Sequence, residues 1–189
     1  MKIGITSGFY NPIHKGHLEC LQRSKDLCDL LVVIVNSDKQ VLLKGSCPFQ
    51  PEEERLAIVR GLKCVDAVHL AIDDDGSVSK TIEQIVSDYT FTYNTLDGMF
   101  GKKRSVEFEF YKGGDRSPSD NPLPSQELEA CNRLGVTVKY GVGGGKTGSS
   151  SSSLSGAFRW VFGKLHDMTP TERKEYFEKI GLPNIDLST

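Results

Sequence analysis

Hydrophobic and polar positions follow two rhythms along this chain. Continuous or alternating apolar runs occur at Ile3–Thr6, Leu30–Val35, Ala67–Ile72 and Val106–Lys112, and at Val136, Val138, Tyr140 and Val142. These predict five strands. The Leu30–Val35 run is apolar at every position and β-branched at four of six. That suits a strand covered on both faces of a parallel sheet. Between the runs, apolar residues recur at helical spacing. Leu18 and Leu21 form one stripe, with Cys28 two turns on; Leu56, Val59 and Leu62 form a second; Val78, Ile82, Ile85 and Val86 form a third. Ser125–Leu134 predicts a helix stopped by Gly135. Leu154, Phe158, Val161, Phe162 and Leu165 predict another. Thr169-Pro170-Thr171-Glu172 is a capping box with proline at the first helical position, opening a final helix near Glu172–Ile180. Strand and helix alternate, which predicts an α/β fold with a doubly wound parallel sheet.

One segment breaks the rhythm. Tyr89-Thr90-Phe91-Thr92-Tyr93 reads as a strand, Asn94–Gly98 as a turn, and Lys102-Lys103-Arg104 as a basic knot. A hairpin or lid inserted at 88–104 is the expectation, with Tyr89, Phe91 and Tyr93 on one strand face. Such an exposed aromatic face would be a contact surface, and a homodimer is expected through it. The predicted organisation is then one domain over 1–165, carrying the insertion, and a C-terminal helical extension over 166–189.

In a parallel sheet, ligands bind beyond the carboxyl ends of the strands. The unusual residues fall there. Gly8-Phe9-Tyr10-Asn11-Pro12-Ile13-His14-Lys15-Gly16-His17 follows the first strand, and Asn36–Gly45 follows the second. Lys112-Gly113-Gly114-Asp115 ends the fourth, and Gly143–Ser153 follows the fifth. Where the first loop becomes a helix, free N–H groups and the helix dipole favour phosphate. His14 and His17 flank that point, and each can donate to a phosphoryl oxygen. Gly16 lets a large ligand approach the backbone. Taken singly, Lys44 also reads as a solvated lysine, Lys112–Asp115 as a glycine turn, and Lys146–Ser153 as a linker. The serine tract, however, runs straight into an amphipathic helix, where serines cap N–H groups and offer hydroxyls to phosphate.

Composition narrows the classes. The chain has 189 residues, enough for one domain with a proper core. With 23 basic and 25 acidic side chains it has no electrostatic case for bulk nucleic-acid or membrane binding. No apolar stretch approaches the roughly 20 residues that span a bilayer. The N-terminus opens straight into a strand, so no signal peptide is expected. Five cysteines without a Cys-x-x-Cys pair predict reduced thiols and a cytoplasmic setting. Cys20, Cys28, Cys64 and Cys131 fall in apolar patterns and are expected in the core. No His/Cys cluster has zinc spacing, and no protein-held metal is expected.

The stretch Gly8–His17 resembles the phosphate-binding signature of the nucleotidyltransferase superfamily of cytidylyltransferases and small adenylyltransferases. The resemblance runs from about residue 2 to residue 160. Gly148-Ser149-Ser150-Ser151-Ser152-Ser153-Leu154 looks like the family's second signature. Glu53-Glu54-Arg55 matches its Glu-Gln/His-Arg motif at the arginine, and Lys63-Cys64-Val65-Asp66 matches its Arg-Tyr-Val-Asp at the last two residues. Val35–Asp38, Lys44-Gly45 and Lys112–Asp115 are similar to the heptose 1-phosphate adenylyltransferases. Asn11-Pro12 is also like the nicotinate and nicotinamide mononucleotide adenylyltransferases, but Ser155 and Gly156 stand where those carry a basic residue.

The resemblance implies a Rossmann-like fold and an enzyme. It would move a nucleoside monophosphate from ATP or CTP to a sugar or polyol phosphate and release pyrophosphate. A heptose-like sugar 1-phosphate is the leading acceptor. A glycerol-3-phosphate or alcohol-phosphate cytidylyltransferase is the alternative, as is a non-catalytic nucleotide-binding regulator. By the same resemblance, His14, His17 and Lys44 are catalytic. Gly8, Phe9, Asn11, Gly16, Arg55, Lys112, Gly114, Asp115, Lys146, Ser150, Ser151 and Ser152 bind the nucleotide. Mg²⁺ would arrive with the triphosphate, without a dedicated protein site.

Overall fold

The five predicted strands are all present and all parallel. In the computed structural model, residues 1–101, 104–114, 117–119, 122–144, 156, 163 and 167–179 are described. The strands are β1 (Lys2–Gly8), β2 (Leu30–Val35), β3 (Ala67–Leu70), β4 (Glu107–Gly113) and β5 (Thr137–Val142). They form one sheet in the order β3-β2-β1-β4-β5. The register sets Ile3 beside Leu30 on one side and beside Phe108 on the other, so β1 is the central strand. Chain order reverses direction at β1, which makes its carboxyl end, with that of β4, the topological switch point. Among the described residues, the helices include α1 (Lys15–Lys25), α2 (Asp38–Leu43), α3 (Glu52–Arg60), α4 (Ser79–Phe100), α5 (Ser125–Leu134) and α6 (Pro170–Lys179). By chain contacts there are two compact units, Met1–Ser151 and Ser152–Thr189.

The two-residue period of the strands sorts the core into two layers. Ile3, Ile5, Val32, Ile34, Phe108 and Phe110 pack with Val78, Ile82, Ile85 and Val86 at the start of α4 and with Cys131 of α5. Leu31, Val33, Val35 and Tyr111 pack on the other face with Leu21 of α1 and Val59 of α3. Burying such a side chain contributes about 1.5–3 kcal/mol. Gly4 faces this second layer, where a Cβ would overlap the Tyr111 ring and the Cys28 sulfur. Glycine is therefore required for Tyr111 to lie across β1. At the amino edge, the Asp66 carboxylate accepts from the Leu31 amide at 2.6 Å and from Lys25 at 2.7 Å, tying α1 to β2. The cysteines are free, with Cys131 buried, Cys20, Cys28 and Cys64 half-buried, and Cys47 exposed.

Two expectations are corrected. The segment 88–104 is not a hairpin or lid. Helix α4 continues unbroken for 22 residues and stops at Gly101, whose φ of 63° caps it in the left-handed region. The stripe Ile82, Ile85, Val86 extends at helical spacing to Tyr89 and Tyr93, which pack against the first core layer. Phe91 therefore lies on the opposite side of the helix and is 73% exposed. The three aromatics do not share a face. Second, Asn36–Gly45 is not all loop. Ser37 and Gln40 form a capping box that starts the six-residue α2. The capping box expected before the last helix is present. The Thr169 amide donates to Glu172 at 2.9 Å and the Glu172 amide to the Thr169 hydroxyl at 3.3 Å. Among the described residues, no helix is long and apolar enough to cross a membrane.

Candidate active site

The chain leaves β1 at Gly8 and turns at Tyr10, a non-glycine residue with φ of 49°. Such a backbone costs energy for a bulky residue and persists only where surroundings enforce it. Here Tyr10 is 3% exposed and packs in the second core layer. Gly8 is required beside it, because a Cβ there would press on the Tyr10 ring at 2.8 Å. The peptide bond between Asn11 and Pro12 is cis. Asn11 is buried and acts as a clasp. Its Nδ2 donates to the Cys47 carbonyl at 2.8 Å and its Oδ1 accepts from the Phe49 amide at 2.7 Å. The first loop and the segment after α2 are thereby held together.

His14 is the N-cap of α1 and makes no side-chain capping bond. Its carbonyl accepts from the His17 and Leu18 amides at 3.0 and 3.2 Å. The amides of Lys15 and Gly16 have no intrahelical carbonyl within reach, as at any helix start. One turn along, the His17 ring stacks on His14 with centroids 3.8 Å apart and meets Tyr10 at 4.9 Å. The Nδ1 atoms of both histidines are buried without a hydrogen-bond partner.

Burial pushes the His17 imidazole down to about 3, and nearby His14 and Lys44 push it the same way. Burial lowers His14 as well. Both rings are therefore neutral at pH 7, each with one N–H to donate. The unfolded chain binds a proton at His17 near pH 6.5, while the fold binds it only near 3. Unfolding thus takes up protons in this window, so stability is full above about pH 6.5 and falls as pH drops toward 3. Melts between pH 7.5 and 4 are expected to show a falling Tm, and His17→Ala should make the fall shallower. An equal pH slope in both proteins would contradict the neutral buried ring.

Lys44 sits just past α2 as its C-cap. It is exposed, and its Nζ lies 4.4 Å from the centroid of the Phe9 ring. Its charge is felt at His17, so the structure brings His14, His17, Lys44, Phe9 and Gly16 to one mouth.

Arg55 and Lys112, both expected to bind the nucleotide, are buried and bonded to protein groups. Arg55 on α3 is 1% exposed. Its guanidinium donates to the carbonyls of Phe9 (2.6 Å), Asn36 (2.7 Å) and Gln50 (3.1 Å), and to Asp38 at 2.5 Å. It ties the ends of β1 and β2 to α3. Lys112 is 6% exposed, 3.0 Å from Glu127 of α5 and 3.0 Å from the Ser7 hydroxyl. Glu127 also accepts from the Val78 amide at 3.2 Å. This buried pair joins β1 and β4, at the switch point, to α4 and α5.

Gly114 has a steric reason. A Cβ there would overlap the Gly144 carbonyl, and one at Gly143 (φ 108°) would meet the Cys20 backbone of α1 at 3.1 Å. The exits of β4 and β5 thus close onto each other and onto α1. Asp115, Lys146, Ser150, Ser151 and Ser152 lie outside the described residues. Tyr10, Asp38 and Glu127 were not among the sequence-predicted site residues. The Ser37-x-x-Gln40 box could have pointed to Asp38, since it marks where α2 begins.

A parallel sheet in this order, with a histidine pair at the first helix start beyond its central strand, defines an α/β protein built to hold a phosphorylated ligand. The chain belongs to the cytidylyltransferase-like family of nucleotidyltransferases, whose model matches residues 5–108. It is 41% identical over 88 residues to an FAD synthase of Ferroglobus placidus, covering 47% of this chain and 56% of that protein. It is 35% identical over 114 residues to the bifunctional protein HldE of Hahella chejuensis, covering 59% of this chain and 23% of that protein. The chain thus spans just over half of the first relative and under a quarter of the second. A solved structure, that of a lipopolysaccharide core biosynthesis protein from Thermoplasma volcanium, is 26% identical with a TM-score of 0.55. The match covers 78% of this chain and 99% of that one.

Proposed function

We propose that this protein transfers a nucleoside monophosphate from ATP or CTP to a phosphorylated acceptor. An acceptor phosphate oxygen attacks the α-phosphorus, the bond from that phosphorus to the bridging oxygen breaks, and pyrophosphate leaves. The observation that carries the reading is the stacked, neutral His14–His17 pair at the open start of α1. Neutral imidazoles donate to phosphoryl oxygens as charge builds on them, and preorganised donors of this kind act without reorganising during the reaction. Lys44, beside them, would offset charge on the α-phosphate and the acceptor. Gly8, Phe9 and Gly16 would shape the mouth, and Asn11, Arg55 and Lys112 would hold its walls. Lys146 and the Ser150–Ser152 run are proposed to hold the leaving pyrophosphate. Mg²⁺ would neutralise phosphate charge, liganded mainly by phosphate oxygens and water, as this ion prefers. Among the described residues no cluster of three or more His, Cys, Asp or Glu side chains is placed to hold a metal.

A sugar 1-phosphate of heptose type is the leading acceptor, supported by the similarity to HldE and to the lipopolysaccharide core biosynthesis protein. A flavin mononucleotide acceptor is the second reading. It is favoured by the identity to an FAD synthase and by Leu42 and Leu43, which are 62% and 58% exposed at the end of α2, just before Lys44. FAD is an adenylate joined to a flavin phosphate, and exposed leucines suit an aromatic ring system better than a sugar. Pyrophosphate release should be measured with ATP and CTP against sugar 1-phosphates, glycerol 3-phosphate and flavin mononucleotide. Release with one pair identifies donor and acceptor. Nucleotide binding without release from any pair would leave a non-catalytic regulator.

Lys44→Ala is expected to lower kcat/KM tenfold or more, with a Tm shift worth less than about 0.5 kcal/mol, because an exposed lysine carries little of the fold. Unchanged kinetics would place Lys44 outside the reaction.

A further inference from the structure

Helix α2 carries a candidate catalytic group but is too short to hold itself in place. It is six residues long, and a helix of that length is not stable in water without packing. Its C-cap is Lys44, whose ammonium stands 4.4 Å from the centroid of the Phe9 ring. The Lys44 amide donates to the Gln40 carbonyl at 3.1 Å, so the lysine's backbone hangs on Gln40. Gln40 itself is 1% exposed. Its side chain uses both acceptor positions and both amide hydrogens. The Oε1 atom accepts from Asn36 Nδ2 at 2.8 Å and from the Ser37 amide at 3.2 Å. The Nε2 atom donates to the Asp75 carbonyl at 2.8 Å and to the Ser77 carbonyl at 2.6 Å.

The two pairs of bonds have different purposes. The first belongs to the capping box of α2, which needs only an acceptor, so a glutamate would serve there as well. The second reaches the loop between β3 and α4, and there only an amide can donate twice. That loop is itself fixed. The Asp73 carboxylate accepts from the Lys80 and Thr81 amides at 2.7 and 3.1 Å, and the Ser77 amide donates to Asp75 at 2.8 Å. The Lys39–Asp74 ion pair joins the same two segments at 2.6 Å, but both side chains are exposed, and exposed pairs contribute little. The buried carboxamide is the stronger tie. We propose that Gln40 is a positioning residue: its amide braces α2 against the 73–77 loop and so sets Lys44 at the mouth. Its effect on transfer rests on the reaction proposed above; its effect on where Lys44 stands does not.

Gln40→Glu is the discriminating variant. It keeps the capping acceptor but turns a carboxylate oxygen onto the Asp75 and Ser77 carbonyls. Lysines methylated with isotope-labelled formaldehyde keep their charge, and their methyl resonances report their surroundings. In the parent, without substrate, one resonance is expected upfield, shifted by the Phe9 ring. Lys44→Arg should remove it, and Phe9→Leu should return it to the position of a lysine with no ring beside it. Gln40→Glu should move it most of the way to the Phe9→Leu position while the thermal melt stays cooperative. Where that variant does not fold, Gln40→Met, uncharged and of similar length, is read in its place. An unmoved resonance, or a parent without the upfield signal, would overturn the proposal. The second arm is a double-mutant cycle on pyrophosphate release. Gln40→Glu is expected to lower kcat/KM about fivefold or more in the parent and less than about twofold in Lys44→Ala, because the effect runs through the lysine. Equal losses in both backgrounds would show a general effect on the fold and overturn the positioning role. A parent that releases no pyrophosphate with any pair sinks the transfer reading, and the resonance still decides whether Gln40 places Lys44.

Discussion

Replacing His17 by alanine is expected to lower the transfer rate about 10²–10³-fold, the usual cost of removing one preorganised donor to a developing charge. The loss should fall on kcat more than on KM, since the donor is worth most when charge on the phosphoryl oxygens is greatest. The ring is held between His14 and Tyr10, so its N–H has little freedom to turn elsewhere. Its lowered proton affinity keeps it a neutral donor across the working range of pH. The alanine variant forfeits stacking worth about 0.5–1.5 kcal/mol, small enough for the fold to survive. Circular dichroism and a thermal melt establish that it does, and steady-state pyrophosphate release gives kcat and KM. Turnover within a few-fold of the parent would remove His17 from the chemistry.

Arg55→Ala is expected to act in the opposite way, through the fold. It strips the partner from three carbonyls and from Asp38 in one step. Removing the buried guanidinium costs about 3 kcal/mol, because the three carbonyls and the part-buried Asp38 carboxylate were desolvated for a partner that is gone. A urea titration should show a midpoint shift of that size with the slope unchanged. Activity per folded molecule should fall less than in His17→Ala. Arg55→Lys should recover little, as a single ammonium cannot reproduce the planar fork. If Arg55→Ala melted like the parent while losing nucleotide affinity, Arg55 would be a ligand contact after all.

The strands and most helices were legible because each carries its period in sequence. Leu30–Val35 could hardly be other than a doubly covered strand, and Gly135 ends α5 where the pattern stops. The second half of α4 was misread because Tyr89, Phe91 and Tyr93 alternate among threonines, which is strand composition. The Ile82–Ile85–Tyr89–Tyr93 stripe also has helical period, and packing on the sheet decides between the two. That His14, His17, Lys44 and Phe9 would gather at one candidate mouth was legible from residue types at strand ends. What each residue does there was not. Asn11, Arg55 and Lys112 look like ligand donors in sequence, and only the fold reveals how fully protein partners occupy their hydrogen-bonding atoms. Tyr10 escaped notice because its part depends on a backbone angle that no side-chain pattern announces.

The strand order also bears on how the protein is made. Strands β1 to β3 pair within the first 70 residues, yet β1 meets its other neighbour only when Glu107–Tyr111 arrives, with Lys2 set beside Glu107 and Thr6 beside Tyr111. At about 5–20 residues per second, synthesis leaves roughly 2–9 s between the end of β3 and the end of β4. During that interval the central strand has a bare hydrogen-bonding edge flanked by Ile3 and Ile5, the kind of edge that recruits foreign strands. Nascent chains stalled shortly after residue 75 should therefore be strong chaperone clients. Those stalled far enough beyond residue 142 for β5 to clear the ribosome should be much weaker ones.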